Sequence, residues 1–404
     1  MFPLWELFRQ QRTKFLNVDP TAVQNIASKL RDGVPCTVTD DFESGSENVA
    51  FRIHFIDDVE WIGRVLGEEA ALGDLSILTR NKLKIQSSVA TMQYVKSKSS
   101  IPVPTVYAFN GENTSPGLGA GWIMMECMSG FLVDENPGAL SVEDEIQVYH
   151  QLAQITTQLS NLRFPQIGPI YPDDHGHFRV GEFLDAHGLG YGPFDTSVDY
   201  FKDRVEEIVS KIETWIYHKK FESKAEQENA AKMSRLFEHV ADQLSDHDYG
   251  SFPLTHGDLG TNNVLFQRDL FGHLEISGVL DWDHAHTSSW LDFGQFPTML
   301  EIDWPALEAG EYSPMVLDTL RRRQQIYLDG IRKYEDKRQT PLLSSIIDSP
   351  AVRVVEFIFL YSDPEGNIDP TTFSKYIAEW QDMEELGTAQ KMAQEMGEIA
   401  EDTN

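Results

Sequence analysis

The chain has 404 residues, 41% of them hydrophobic, with 33 Lys and Arg against 64 Asp and Glu and a net charge of −31. Such a length suggests roughly two or three domains, and the apolar content is enough to bury sizeable cores, which excludes a disordered chain. The charge argues against nucleic acid or an anionic membrane as a main partner. A cationic small molecule would suit it, although acidic surfaces more often serve solubility. The two cysteines, Cys36 and Cys127, form no CxxC and no metal-ligand spacing, which fits a reducing, cytoplasmic compartment. The amphipathic N-terminus lacks the apolar core of a signal peptide, and no apolar run approaches the ~18 residues of a membrane span.

Residues 3–31 read as one or two amphipathic helices, 18–30 being the clearer because Asp19-Pro20 supplies a start signal. The period then changes. Val49, Phe51, Ile53 and Phe55 alternate with Arg52 and His54, which predicts a half-buried strand; Asp57-Asp58 turns the chain, and 61–66 returns as a second strand. Residues 82–98 are helical, with Ile85, Val89, Met92 and Val95 at three- and four-residue steps. Pro102 and Pro104 end that helix and lead into an extended stretch, 105–109. Residues 110–121 read as a loop, and 122–128 as an apolar strand broken at Ser129-Gly130. Beyond it the spacing is helical over 142–162, 198–217 and 226–244. The stretch 164–194, rich in Gly, Pro and His, reads as a loop long enough to be functional, and the acidic tail 379–404 is helix-prone. This pattern predicts an N-terminal lobe, 1–126, built on a small antiparallel sheet, and a mainly helical lobe, 127–404, with a cleft between them.

The chemistry concentrates in HGDLGTNNVLF, which begins at His256, and ISGVLDWD, which ends at Asp283. Asn263 opens one apolar run, 274–280 forms another, and a turn centred near Gly272 would pair Asn263 with Asp281. Asp258 lies on the loop just before. One carboxylate to orient a hydroxyl, with an amide oxygen and a second carboxylate to hold Mg²⁺ on phosphates, is what metal-assisted phosphoryl transfer needs. A one-residue slip of register would turn Asp281 to the other face. Singly, each of these residues fits ordinary turn chemistry; their combination carries the reading.

HGDLGTNN resembles the H-G-D-x-x-x-x-N catalytic loop of the aminoglycoside phosphotransferase and choline kinase-like superfamily, and GVLDWDHA resembles its metal-binding strand end. SSVATMQYV followed by IPVP resembles a helix and turn of fungal members, GWIMMECMSG resembles the hinge, and the likeness spans roughly residues 40 to 300. The resemblance implies an α+β, two-lobed protein kinase-like fold with ATP and Mg²⁺ as cofactors. By it Asp258 is the catalytic base or hydroxyl-orienting residue, and Asn263 and Asp281 hold Mg²⁺. Ser44, Gly45 and Ser46 cover the phosphates, Arg64 binds them, and Met125, Glu126, Cys127 and Met128 face adenine. His256 braces the loop.

One departure stands out. The family usually carries a glutamate on the helix after the Arg64 strand; here that position is Ser88, and no Asp or Glu occurs over 75–111. Arg64 is then oriented by Glu68, Glu69 or Asp74, or binds phosphate without a brace, or ATP binding is impaired. The lysines of the same segment read as a solvated helix face. The acceptor candidates are Trp282, Asp283, His284 and His286, with Asp283 facing either substrate or local backbone. Trp290 reads as core, Asp292 as a turn brace, and the histidines lack the further ligands of a zinc site. The leading expectation is an ATP- and Mg²⁺-dependent phosphotransferase acting on a small-molecule hydroxyl. Two other readings stay open: a pseudokinase or nucleotide-dependent binding protein, and a kinase-fold biosynthetic enzyme without phosphate transfer.

Overall fold

The structure is a computed structural model, and it describes residues 18–44, 48–66, 75–112, 114–115, 118–133, 140–173, 175–184, 189–217, 250–302, 310–338 and 342–349, with isolated positions at 224, 228, 244, 307, 351, 352, 354 and 355. The expected helices within 3–17, 226–244 and 379–404 lie outside or almost wholly outside these residues, as do Gly45 and Ser46.

Backbone packing divides the chain into two compact units, the first comprising Met1–Phe164, Gly168–Pro193 and Leu254–Thr287. It opens with α1 (Pro20–Leu30), where the Asp19 carboxylate accepts from the Thr21 N–H and Pro20 occupies the first turn. Strands β1 (Cys36–Ser44), β2 (Asn48–Phe55) and β3 (Glu60–Leu66) follow, then α2 (Leu75–Lys98), β4 (Val106–Asn110) and β5 (Trp122–Glu126). They build a five-stranded antiparallel sheet in the order β1-β2-β3-β5-β4.

The alternation read in β2 is the burial observed: Val49, Phe51, Ile53 and Phe55 are buried. Strand β1 was not expected, because its consecutive Asp40-Asp41 breaks any alternation; its register against β2 shifts between Val38 and Phe42. Helix α2 buries Ile85, Val89, Met92 and Val95 as the spacing predicts, and starts earlier than the sequence suggested. On β3 the buried Trp61, Gly63 and Val65 alternate with half-buried Ile62 and Arg64, so Arg64 leaves the sheet on the opposite face from its packed neighbours. At Gly63 a Cβ would come within 3.0 Å of Val23 on α1, so the small residue lets that helix lie close to the sheet.

The first unit continues with β6 (Phe131–Leu132), α3 (Val142–Leu159), β7 (Arg163–Phe164), β8 (Ile170–Pro172), β9 (Phe178–Val180), β10 (Phe183–Leu184) and β11 (Gly190–Tyr191). The stretch read as a loop over 164–194 thus holds two short hairpins, β8–β9 and β10–β11; its strands are too short to show a period. Strand β12 (Phe252–Thr255) pairs with β15 (His286–Thr287) through Leu254 and Thr255. Between them, β13 (Val264–Arg268) and β14 (Leu274–Val279) form the expected hairpin, with β6 on its other edge.

Helix α3 anchors this hairpin. A capping box between Ser141 and Asp144 starts the helix. Gln147 accepts from the Leu274 N–H at 2.9 Å, while Gln151 accepts from the Ile276 N–H at 2.8 Å and donates to the Leu274 carbonyl at 2.7 Å. Arg268 grips Asp144 with both guanidinium nitrogens, at 2.9 and 3.1 Å. That contact, reinforced by the Ser141 groups, lowers the Asp144 pKa to about 2.

The second unit comprises Pro165–Ile167, Phe194–Pro253 and Ser288–Asn404. It holds α4 (Ser197–Tyr217), α5 (Trp290–Phe293), α6 (Pro314–Tyr334) and α7 (Leu343–Ile347). Ser289 and Ser313 cap α5 and α6. The Glu335 carboxylate accepts from the backbone and hydroxyl of Ser344, tying the start of α7 to the end of α6. Trp290 is buried, as read, and donates to the Ser251 carbonyl. Among the described residues no helix is long and apolar enough to cross a membrane.

Candidate active site

The loop between β12 and β13 is shaped by backbone needs. Gly257 has φ +80°, and a Cβ there would lie 2.3 Å from the His284 carbonyl oxygen, so glycine alone lets the two segments approach this closely. His256, just before it, is buried. Its Nε2 lies 2.9 Å from the Leu280 carbonyl, and its ring packs on Trp282 with centroids 4.5 Å apart. Burial lowers its pKa, more than the Leu280 carbonyl, Asp281 and Asp258 raise it. The neutral ring therefore donates from Nε2 to Leu280, which ties the loop to the end of β14. This is the bracing position read from the sequence.

Asn263 closes the loop. Its Nδ2 donates to both the Asp258 carbonyl and the Asp258 Oδ2, each at 2.9 Å. Its own backbone N–H reaches the Gly260 carbonyl, and its carbonyl accepts from the Leu280 N–H at 2.8 Å. Because both partners of Nδ2 are acceptors, Asn263 Oδ1 is left as its remaining acceptor atom. Asp258 keeps Oδ1, which accepts no hydrogen bond among the described residues.

The hairpin register departs from the expectation by one residue. Val264 pairs with Val279 and Arg268 with Leu274, with a bulge between Leu265 and Phe266. Asn263 therefore faces Leu280 rather than Asp281. Two features were not legible in the turn: its centre lies before Gly272, and the bulge places one extra residue in β14. Asp281 is not on a strand face at all, since β14 ends at Val279 and Asp281 has φ +59°. The left-handed backbone re-aims the side chain, so the strand argument about its face does not apply there. Asp281 is exposed and lies beside the loop that carries Asn263.

Arg64 meets this segment from β3. Its Nη1 lies 2.9 Å from Asp283 Oδ1; its Nη2 lies 2.6 Å from Asp283 Oδ2 and 2.9 Å from Asp281 Oδ1. Asp283 also accepts from Asn48 Nδ2 at 3.2 Å, and Lys84 Nζ stands 3.6 Å away. The side chains of Arg64 and Asp283 are only 11% and 5% exposed. Burial opposes charge on Arg64, but Asp283 and Asp281 outweigh it and raise its pKa. Burial likewise opposes charge on Asp283, and Arg64, Lys84, Ser88 and Asn48 outweigh it and lower its pKa. The Ser88 hydroxyl is buried and close enough to favour that charge, yet has no partner at hydrogen-bond distance; we take it as a neighbour of Asp283 rather than a bonded group.

Arg64 thus has an acidic partner, and it comes from the Asp281–Asp283 segment. The proposed alternatives Glu68, Glu69 and Asp74 lie outside the described residues. Lys84 corrects the reading of its helix as a solvated lysine face: its side chain is 14% exposed and turned to Asp283. Its position one helical turn before Ser88 was the available signal. Asn48, at the start of β2, carried no such signal.

The other candidates fall as follows. Trp282 is buried and donates to the Val279 carbonyl, which makes it core rather than a lining surface. Asp283 faces Arg64 rather than the local backbone. His284 is exposed; half-buried His286 meets Phe183 edge-on with centroids 5.3 Å apart. Met125 and Glu126 end β5, with Cys127 and Met128 following. The Glu126 N–H donates to the Thr105 carbonyl, and its carboxylate accepts from the Thr105 hydroxyl at 2.7 Å. Ser44 ends β1, paired with Val49.

For a metal ion the donors on hand are the Asn263 amide oxygen and the Asp281 carboxylate. They are hard oxygen ligands in the small number that Mg²⁺ takes from protein when phosphates and water complete its shell. No group of three or more His, Cys, Asp or Glu suited to a metal occurs among the described residues, so the donor set does not fit a self-contained metal cage.

With that arrangement in place, comparison with known proteins assigns a class. The profile of the phosphotransferase enzyme family matches residues 43–313, and the chain belongs to that family. Two curated relatives, subtelomeric hrmA-associated cluster proteins from two strains of Aspergillus fumigatus, are 29% identical over 85 residues. That match takes in 21% of this chain and 16% of theirs, so the chain spans only a small part of the relatives' length. Among solved structures, aminoglycoside phosphotransferase APH(2'')-Ib in its ADP-bound form is similar at 12% identity and TM-score 0.49, over 90% of this chain and 97% of that one. Macrolide 2'-phosphotransferase MphH from Brachybacterium faecium is similar at 14% identity and TM-score 0.43, over 84% and 91%. The α+β class expected from the sequence is the class of this chain.

Proposed function

We propose that this protein transfers the γ-phosphoryl group of ATP, in a Mg²⁺-dependent reaction, to a hydroxyl of a small molecule. Family membership gives the phosphotransferase class; the loop geometry supports the finer reading. The observation that carries it is the pair of hydrogen bonds that Asn263 Nδ2 donates to Asp258. It fixes a carboxylate that can orient an acceptor hydroxyl and accept its proton, and it turns an amide oxygen outward beside Asp281. Asn263 and Asp281 would hold Mg²⁺, which when bound neutralises phosphate charge. Arg64 would contact the phosphates with Ser44, Gly45 and Ser46 covering them, and Met125 to Met128 would face the base. His284 and His286 are the remaining acceptor-side candidates. In this reading residues 1–126 form the nucleotide lobe and 127–404 the catalytic and acceptor lobe. The high negative charge suits a cationic acceptor. We place the reaction in the cytoplasm.

A radiolabelled γ-phosphate assay tests this. ATP and Mg²⁺ are incubated with a panel of amino-alcohol, sugar, nucleoside and secondary-metabolite hydroxyls. Transfer of label to one acceptor class, abolished by EDTA, is the expected result; ATP-independent conversion of an acceptor would point to other chemistry. One observation favours a second reading. Arg64 Nη2 pairs with Asp281 at 2.9 Å, which sets a cation against a metal-ligand candidate, as a nucleotide-dependent binding protein without turnover could have. ATP binding with no transfer across the whole panel would favour it.

A further inference from the structure

We propose that Asp283 is the positioning acid of the phosphate site: it holds Arg64 and Lys84 as a pair of cations, and it is not a metal ligand. This rests on the reading of the site given above and deepens it. Three observations carry it. First, Asp283 is enclosed, its side chain 5% exposed, whereas that of Asp281 is 42% exposed. Second, both Asp283 oxygens are occupied: Oδ1 by Arg64 Nη1, Oδ2 by Arg64 Nη2 and Asn48, with Lys84 at 3.6 Å. A metal ion at Asp283 would have to displace a two-point guanidinium contact. Third, the two cations come from different elements, β3 and α2, and both reach this carboxylate.

Two cations, Arg64 and Lys84, are thus gathered at one buried carboxylate. The Arg64 Nη2–Asp281 contact is the exchangeable one, because Asp281 is exposed and is the proposed metal ligand. With Asp281 engaged by a metal, Arg64 would stay in place on Asp283 and could present Nη2 to phosphate oxygen. The ligand this cation pair fits is the polyphosphate of a nucleotide. Ser88 lies in the same cluster, buried at 1% exposure with an unpartnered hydroxyl, so a carboxylate placed there could reach the same cations.

The test uses the full chain and titrates ATP calorimetrically, with magnesium and with EDTA, against D283N, R64Q, R64Q/D283N and S88E/D283N. A positioning acid predicts that D283N weakens ATP binding at least tenfold in both conditions. R64Q/D283N should then bind no more than about threefold more weakly than R64Q, because Asp283 acts mainly through Arg64 and the longer Lys84 contact accounts for the remainder. S88E/D283N should recover at least threefold of the loss, which a merely structural defect would not do. If D283N does not fold by circular dichroism, R64Q/D283N, which removes both charges together, is compared with R64Q and carries the same prediction. Loss of affinity only when magnesium is present would make Asp283 a metal ligand and overturn the proposal, as would unchanged ATP binding by D283N. Absence of ATP binding by the unmodified protein would instead overturn the phosphotransferase reading on which this proposal rests.

Discussion

Substituting alanine at Gly257 should damage both stability and turnover, and the size of each effect follows from one position. Gly257 has φ +80°. An L-residue with a Cβ is disfavoured in that region by about 1–2 kcal/mol. The added Cβ would also lie 2.3 Å from the His284 carbonyl oxygen, about 1 Å inside ordinary contact, and the atom it meets is backbone rather than a flexible side-chain end. Overpacking of this kind costs about 1–3 kcal/mol. Together these give a destabilisation of about 3 kcal/mol, read from the midpoint of urea unfolding at constant slope. Relief requires the loop and the 281–284 segment to move apart by about 1 Å. That movement separates Asp258 and Asn263 from Asp281, and a displacement of this size can cost about 10²-fold in rate. ADP release by coupled assay measures it. Unfolding and turnover both within twofold of the parent protein would show that the loop is not held as described.

The remaining predictions concern single contacts. Arg268→Ala breaks the two-point contact that fixes the β13–β14 hairpin to α3 and should lower the urea midpoint of unfolding only modestly, because Arg268 is solvent-screened and Asp144 keeps its Ser141 contacts. Asp144 titrates near 2 in the fold, below the ordinary carboxylate value. Its contribution is present above about pH 4 and is lost as pH falls toward about 2, and R268A should flatten that acid limb. His256 behaves in the same sense. Its pKa is lowered from 6.5 by burial, so the unfolded chain binds the extra proton first. Stability is full above about pH 6.5 and declines as pH falls below it, and His256→Gln should remove that segment of the pH–stability profile. Asn263→Ala removes two bonds to Asp258 and one proposed metal donor; it should raise the magnesium concentration needed for half-maximal turnover at least tenfold and lower turnover itself. An unchanged magnesium dependence would remove Asn263 from the metal site.

The sequence made much of this legible because the decisive signals were local. Alternation marked β2 and β3, helical spacing marked the core of α2, and the short path from His256 to Asp283 marked the catalytic hairpin. The hairpin's register was not legible to the last residue. A bulge adds a residue without changing the apolar pattern on either side, and a left-handed aspartate cannot be read from composition. Strand β1 escaped because Asp40 and Asp41 interrupt its alternation, and β8 to β11 because two- and three-residue strands have no period. The brace of Arg64 was sought near it in sequence, on the following helix or the loop before it. It lies on Asp283, more than two hundred positions away, where only the fold brings strand and loop together. Lys84 shows the converse: among the cations of α2, only its place one helical turn before Ser88 marks it as the one that turns inward.

The most direct test of the account is the Asp258→Asn variant, assayed for phosphoryl transfer at saturating ATP and Mg²⁺ alongside calorimetric ATP binding. Asn keeps the shape of the side chain and can still meet Asn263, but it cannot accept a proton. The account predicts turnover lowered by about 10²–10⁴-fold with the ATP dissociation constant within about threefold of the parent. An Asp258→Asn protein that keeps full activity would contradict the assignment of Asp258 as the residue that orients and deprotonates the acceptor hydroxyl.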